Sequence, residues 1–410
     1  MNSSTVLTTA RSGVGVTRSE DSFQAGADIA RKAMAGATLS AETLFLLFAT
    51  PHYKTDQLMA GIRSVTGDWP QFLGCTTVGM VSHGFIDYSG NVAGGAFISS
   101  DSKFFTLFSE NSIRDREFDS GKSLARQLQE ATTPPDAAVL LFYDSIKVTA
   151  LEGQPELNLA TPILEGIFAG LNHWPTMAGI GAWSDMNITN PCAVWAGESI
   201  RRHGLAAVTI GGPIRMDTII MHGTRPIGGY HTITRADRNI VYEIDHQPAL
   251  DIIHKIMGGT ISWEEFPLLV TLGVNNGDKF GDFKEEDYAS RLCFAIDREQ
   301  KSLIMFETDL VEGTEVQLMR RNIDFAYIRP QVEKLLAKAA GRKPLLAFYI
   351  DCLGRVSGFS GLPEEESLEV ARWLGDIPFF GIMSGVEIAN VGEAAKALDW
   401  TGVLCLFSEA

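Results

Sequence analysis

The residues best able to do chemistry gather around three glycine-bearing turns. Arg355 follows an apolar run, Leu345 to Asp351, and a glycine, Gly354. A guanidinium fixed at such a strand end grips a carboxylate in bidentate fashion. Glu387 stands in the third turn among apolar neighbours. An acid there needs a partner, and a ligand amine and Arg355 are the two candidates. Thr76 and Thr77, in the first turn, offer hydroxyls that bond a ligand or cap a turn. Asp185 and Asn187 in the second turn are Asx-turn formers as well as ligand contacts. Cys75 precedes the threonines and Ser384 lies in the third turn. Cys352 invites a nucleophile reading, and Arg355 supplies the positive field that a reactive thiolate needs. No histidine stands in a recognisable pattern with it, and cysteine is commonly buried. The expected set is therefore a ligand-binding one, with no catalytic member.

Other chemistries leave no trace. There is no Gly-x-Ser-x-Gly, no dinucleotide fingerprint and no phosphate loop. The eight histidines show no His-x-x-x-His or His-x-His spacing, so no metal is indicated.

The elements that must position these residues are written three times. The turns are Trp69–Gly79, Trp174–Asp185 and Ile377–Val391, each with a proline, an apolar residue, a glycine and then small or hydroxylated residues. An apolar run precedes each: Thr43–Ala49, Ala138–Asp144 and Leu345–Asp351. Another follows: Ala93–Ile98, Leu205–Ile210 and Gly402–Phe407. Such self-similarity marks a repeated supersecondary unit, here strand–helix–strand–strand. The apolar runs suit strands buried on both faces, and the glycine turns let backbone approach a ligand closely. The pattern predicts an α/β fold of mixed sheets covered by helices, a layered sandwich in two domains, 1–235 and 236–410. Helices are expected over Ser22–Ala35 (capped by Ser19 or Ser22), Thr55–Val65, Ser120–Glu130, Thr161–Leu171, Pro248–Met257, Phe325–Ala340 and Pro363–Leu374, with a chain break at 132–136. The acidic triplet Glu364, Glu365 and Glu366 reads as a complement to a helix dipole.

Composition narrows the function. A net charge of −16 argues against nucleic acid or an anionic membrane as the main partner. Five scattered cysteines without a Cys-x-x-Cys suit a reducing compartment. No run approaches the ~20 apolar residues of a membrane helix, and no secretory leader is recognisable. A cytoplasmic protein is expected, without membrane insertion.

In their order and spacing these marks resemble the FIST proteins, a sensory family with an N-terminal and a C-terminal domain. The resemblance rests on Gly74-Cys75-Thr76-Thr77-Val78-Gly79, on Tyr242–Leu250, on Cys352-Leu353-Gly354-Arg355, and on Gly381 with Glu387-Ile388. It runs from Gly13 to Phe407. The chain departs from the family at Met80, where Glu is frequent, at His246, where Gly is usual, and at Val386, with the glycine one place earlier at Gly385. The resemblance implies a bacterial small-molecule sensor for an amino acid or small carboxylate. Its signal is expected to pass to a separate partner such as a histidine kinase. The resemblance also implies an alternative, a haem-binding nitric oxide sensor, for which His246 and His254 are the axial candidates. An enzyme using Cys352 is the further alternative.

Overall fold

The three similar stretches form the same local structure for the same reasons. In the first, the strand Arg11–Thr17 leads into the helix Ser22–Met34, the strand Glu42–Ala49, the helix Thr55–Thr66 and the strand Pro70–Thr76. A short hairpin, Met80–Ser82 with Phe85–Asp87, and the strand Ala93–Ser100 complete it. The second unit repeats this order with Phe105–Glu110, Glu117–Glu130, Ala138–Asp144, Ala160–Leu171 and Met177–Ala182, then the hairpin Val194–Ala196 with Ser199–Arg201, then Leu205–Ile210. The third begins with Ile214–Met221 and resumes after a long insertion with Ile328–Lys338, Pro344–Cys352, Glu366–Leu374 and Phe379–Ser384. It closes with the hairpin Val386–Val391 and Ala394–Leu398, and with Gly402–Glu409. The computed structural model describes residues 10–35, 37–131, 134, 136–258, 269–322 and 324–410. Residues 132, 133 and 135 of the expected chain break lie outside the described residues.

Each unit builds four strands of a mixed sheet. The two apolar central strands run parallel, with Leu47 opposite Gly74, Leu141 opposite Gly179 and Tyr349 opposite Gly381. The last strand of each unit joins antiparallel beside the first central one. Parallel strands need a crossover, and the helices Thr55–Thr66, Ala160–Leu171 and Glu366–Leu374 supply it.

The hairpins do not stay at home. The first unit's hairpin extends the third unit's sheet, with Met80 opposite Ile382. The third unit's extends the second sheet, with Val386 opposite Gly181. The second unit's extends the first, with Val194 opposite Cys75. Three six-stranded sheets result, each closed by a neighbour's hairpin in a cyclic exchange. At the centre, Phe48 lies 5.6 Å from Phe142 and 5.6 Å from Phe348, ring to ring. One aromatic from each unit thus fills the shared core.

The insertion is a separate antiparallel barrel. Thr224–Asp237 pairs with Glu315–Arg321 along one part of its length and with Ile240–Ile244 along another, so the sheet returns to its own first strand. Closure removes the exposed edges. The helix Ala249–Met257 packs Ala249, Ile252 and Ile253 into this second core.

Three local expectations are corrected. The first helix is capped by Asp21, whose carboxylate accepts from Gln24 N at 2.8 Å; Ser22 Oγ instead accepts from Lys54 N at 3.0 Å. The helix expected from Ser120 starts at Glu117, one turn earlier. The acidic triplet is not a dipole complement alone: Glu365 accepts from Ser357 N and Tyr88 Oη, and Glu366 pairs with Arg355.

Candidate ligand cleft and a buried ionic network

The three turns meet. Thr77 Oγ1 donates to Met383 O at 2.7 Å and Met383 N to Gly79 O at 3.0 Å, joining the first turn to the third. Gly385 N donates to Gly181 O at 3.0 Å, joining the third to the second. Glycine is required at one of these crossings and in the strand leading to another. A Cβ on Gly385 would run into the Trp183 ring, and one on Gly74 would overlap Leu47 O and Trp195 Nε1.

Beside the first and second turns a two-lobed cleft opens at the carboxyl ends of Glu42–Ala49, Pro70–Thr76 and Met177–Ala182. Ligand crevices in open α/β sheets lie at this end of the strands. Thr50 and Pro51 form the ridge that both lobes share. The larger lobe, about 380 Å³, lies between His52, Tyr88 and the 184–190 loop. The smaller, about 260 Å³, is floored by Thr76, Cys192 and Trp195 and flanked by Tyr53 and Arg202. Trp195 is held in place by its indole N–H, which donates to Leu47 O at 3.0 Å. Arg202 is paired with Glu152 through both guanidinium ends, one of them at 2.6 Å.

The nine residues expected around a ligand divide into two groups. Thr76, Asp185 and Asn187 line the cleft. Cys75 is buried in the strand below it, and Thr77 is buried at the turn crossing. Thr76 Oγ1 accepts from Ala193 N at 3.0 Å, fixing the exchanged hairpin to the first turn. Asp185 organises its own loop. Its carboxylate accepts from the amides of Asn187, Thr189 and Asn190 at 2.8–3.1 Å. Burial favours its neutral form, but those amides outweigh it and the pKa falls to about 2.

Cys352, Arg355, Ser384 and Glu387 form the second group, buried at the end of the third unit's parallel pair. Of the two candidate partners for Glu387, Arg355 is not the one it meets. Arg355 is 2% exposed; Nε donates to Asp351 Oδ1 at 3.0 Å and Nη1 to Trp400 O at 2.9 Å, and Nη2 reaches Tyr327 Oη and Glu366. Glu387 accepts from Ser384 Oγ at 2.6 Å and from Thr401 N at 3.4 Å. Burial drives its pKa well up, and nearby Asp399 and Asp351 add to the shift. Burial also holds the Cys352 thiol far from ionisation, with Glu387 reinforcing it. Arg355 opposes that shift only weakly, so the thiolate a nucleophile requires is disfavoured.

Sequence reasoning missed Trp195, Arg202 and Tyr88. Trp195 and Tyr88 reach the cleft on or beside exchanged hairpins, and no periodicity in the chain announces that exchange. Met80, which replaces the family's frequent Glu, is buried with its sulfur against Gly94.

The two axial candidates for haem lie on the barrel. His246 sits exposed on a tight hairpin turn with φ 59°, its N–H donating to Thr234 Oγ1 at 2.9 Å. His254 lies on the helix Ala249–Met257. The barrel interior that this helix covers is filled, leaving a void of about 10 Å³ lined by Ile244, Ile252 and Ile253.

No described helix is long and apolar enough to cross a membrane. Two family models match the chain, the FIST N domain over residues 43–247 and the FIST C domain over residues 249–390. An uncharacterized protein of Methanocaldococcus jannaschii is 26% identical over 179 residues, 40% of this chain and 32% of that protein. One from Mycobacterium bovis is 25% identical over 209 residues, 50% of this chain and 53% of that protein. The matches thus take in about a third to about half the length of these relatives. Among solved structures, a cyanuric acid hydrolase from A. caulinodans aligns over 98% of this chain and 99% of its own, at TM-score 0.41 and 10% identity, too distant to inform the chemistry. With both family models taking up successive parts of the three-unit fold, the chain belongs to the FIST family.

Proposed function

We propose that this chain is a sensory module that binds a small molecule, an amino acid or small carboxylate, in the two-lobed cleft. FIST domains are sensory domains that bind small ligands. The observation that carries this reading is that the first and second of the three meeting turns line a cleft at the carboxyl ends of the parallel strands. The lobes fall at or just below the size of small-molecule pockets, roughly 300–1,000 Å³. Their walls mix aromatic rings with hydroxyls and amides. Thr76, Asp185 and Asn187 belong to this site, with Cys75 and Thr77 behind it. Arg355, Ser384, Glu387 and Cys352 support it from the buried side.

The signal passes to a separate partner such as a histidine kinase, in the cytoplasm, where the five unpaired thiols are chemically at home. In this reading the chain divides into two domains at 235/236, within the barrel strand Thr224–Asp237. A thermal-shift screen against amino acids and small carboxylates, with and without haemin, tests the proposal. Stabilisation by a carboxylate without a Soret band is the expected result. Stabilisation by haemin alone, with an intense Soret band, would favour the gas-sensor alternative.

A further inference from the structure

We infer that Arg202 is the carboxylate-recognising residue of the cleft, and that Glu152 is an internal stand-in which the ligand displaces. This deepens the reading of the cleft as the ligand site and rests on it. The smaller lobe is lined by one cation, Arg202, and by no carboxylate. The rest of its lining is hydroxyl and apolar: Thr50, Thr55, Thr76 and Tyr53 above the Trp195 floor. In a protein of net charge −16, a concave surface with a single positive group and no acid selects anions.

Arg202 is also held by a partner that can leave. Arg355 and Arg291 are buried with carboxylates that cannot leave. Glu152, by contrast, is solvent-exposed and does not line the lobe. It holds the guanidinium in the two-pronged geometry that a carboxylate ligand would adopt. Both partners are partly exposed to water, and a ligand carboxylate reaching Arg202 from the lobe would replace one two-pronged bond with another of the same geometry.

The exchange has a route to the rest of the molecule. Glu152 lies on the 149–153 turn, and Ala150 N of that turn donates to Ile188 O at 2.8 Å. Ile188 sits within the 184–190 loop that walls the larger lobe. Arg202 follows the second unit's exchanged hairpin. Releasing Glu152 therefore unties the loop of one lobe from the hairpin of the other.

The test measures binding of propionate, benzoate and L-alanine beside propionamide, benzamide and L-alaninamide, by calorimetry and ligand-observed NMR. The wild type and three variants are compared: Arg202→Met, Glu152→Gln, and Asn187→Trp, which fills the larger lobe from an exposed position. At least one acid should bind the wild type at least tenfold more tightly than its amide. Arg202→Met should weaken that acid by about ten- to a hundredfold and leave the amide unchanged, whereas Glu152→Gln, which frees the guanidinium, should tighten it. Equal affinity for acids and amides, or no binding of any acid, would overturn the inference. So would an acid whose binding Asn187→Trp abolishes while Arg202→Met does not change it, and in that case the cleft itself stands. Binding indifferent to all three variants would remove the cleft as the site and the inference with it.

Discussion

The hydroxyl of Thr77 lies 2.7 Å from the carbonyl oxygen of Met383, 306 residues further along the chain. It shares its proton with Gly79 O at 2.8 Å, in a buried crossing between the first and third units. Thr77→Val keeps the shape and removes the donor, leaving two buried carbonyls short of one bond. The expected cost is roughly 1–3 kcal/mol, read from urea unfolding at constant m-value. A loss within error of zero would mean that the crossing is held by packing alone.

Arg355 is the hub of a buried ionic network rather than a free ligand anchor. Arg355→Met strands Asp351 and Glu366 without their cation, and removing one partner of a buried pair costs about 3–5 kcal/mol. The melting temperature should drop steeply, while the fraction that remains folded binds ligand with unchanged affinity. A folded variant of normal stability that has lost ligand binding would return the site to Arg355.

Glu307 reaches out of the barrel to cap the helix Ala160–Leu171, accepting from Ala160 N at 3.1 Å and Thr161 N at 2.9 Å. That helix has no local side-chain cap. Burial raises the pKa of Glu307 from 4.5 to about 7, against the pull of the two amides. An acid whose folded pKa is raised contributes stability that is fully present below pH 4.5 and is lost as pH climbs through about 7. Asp144, raised by burial to about 7, and Asp399, raised by burial to about 6, act in the same direction. The contribution of these three acids to stability should therefore fall between pH 4.5 and 7.5, and Glu307→Gln should reduce that fall by roughly 1–3 kcal/mol. An unaltered pH profile in the variant would show that Glu307 ionises in the folded protein as freely as in the unfolded one.

His246 occupies a position made for glycine. Asp245 and His246 both have positive φ, 51° and 59°, as the two central residues of a tight hairpin. Primed turns of this type favour glycine at the second place. His246→Gly should stabilise the barrel by about 1 kcal/mol, visible as a higher urea midpoint. A destabilised variant would mean that the imidazole makes a contact outweighing its backbone strain.

Much of this was legible in the chain. The parallel strands came from unbroken apolar runs, because strands covered on both faces cannot alternate. The helix faces came from their 3.6-residue period; Ala25, Ile29 and Ala30 are buried as that spacing requires. The repetition of the turns suggested a shared site, but their convergence is seen only in the folded chain. The partners of the charged residues did not. Arg355 bonds Asp351 four residues back and Glu366 eleven ahead, and nothing in a one-dimensional pattern ranks those two acids above Glu387. The cleft walls were hidden for a related reason: Trp195 and Tyr88 are delivered by hairpins to another unit's sheet, a pairing decided by three-dimensional packing. Caps failed on a smaller scale, since Ser19, Asp21 and Ser22 are all competent and only the local backbone chooses Asp21.

The exchanged hairpins set an order of events during synthesis. Ser82 finds its sheet partner Phe380 only after about 300 further residues have been made, which at about 5–20 residues per second is a wait of roughly 15–60 seconds. Meanwhile the first unit's hairpin has no host, and the second sheet lacks its outer pair. A nascent chain halted before Phe379 would expose two unfinished strand edges, the condition under which partly made proteins associate wrongly. The same interlock that makes the finished core hard to open makes the growing chain a natural client for chaperones until its last strands arrive.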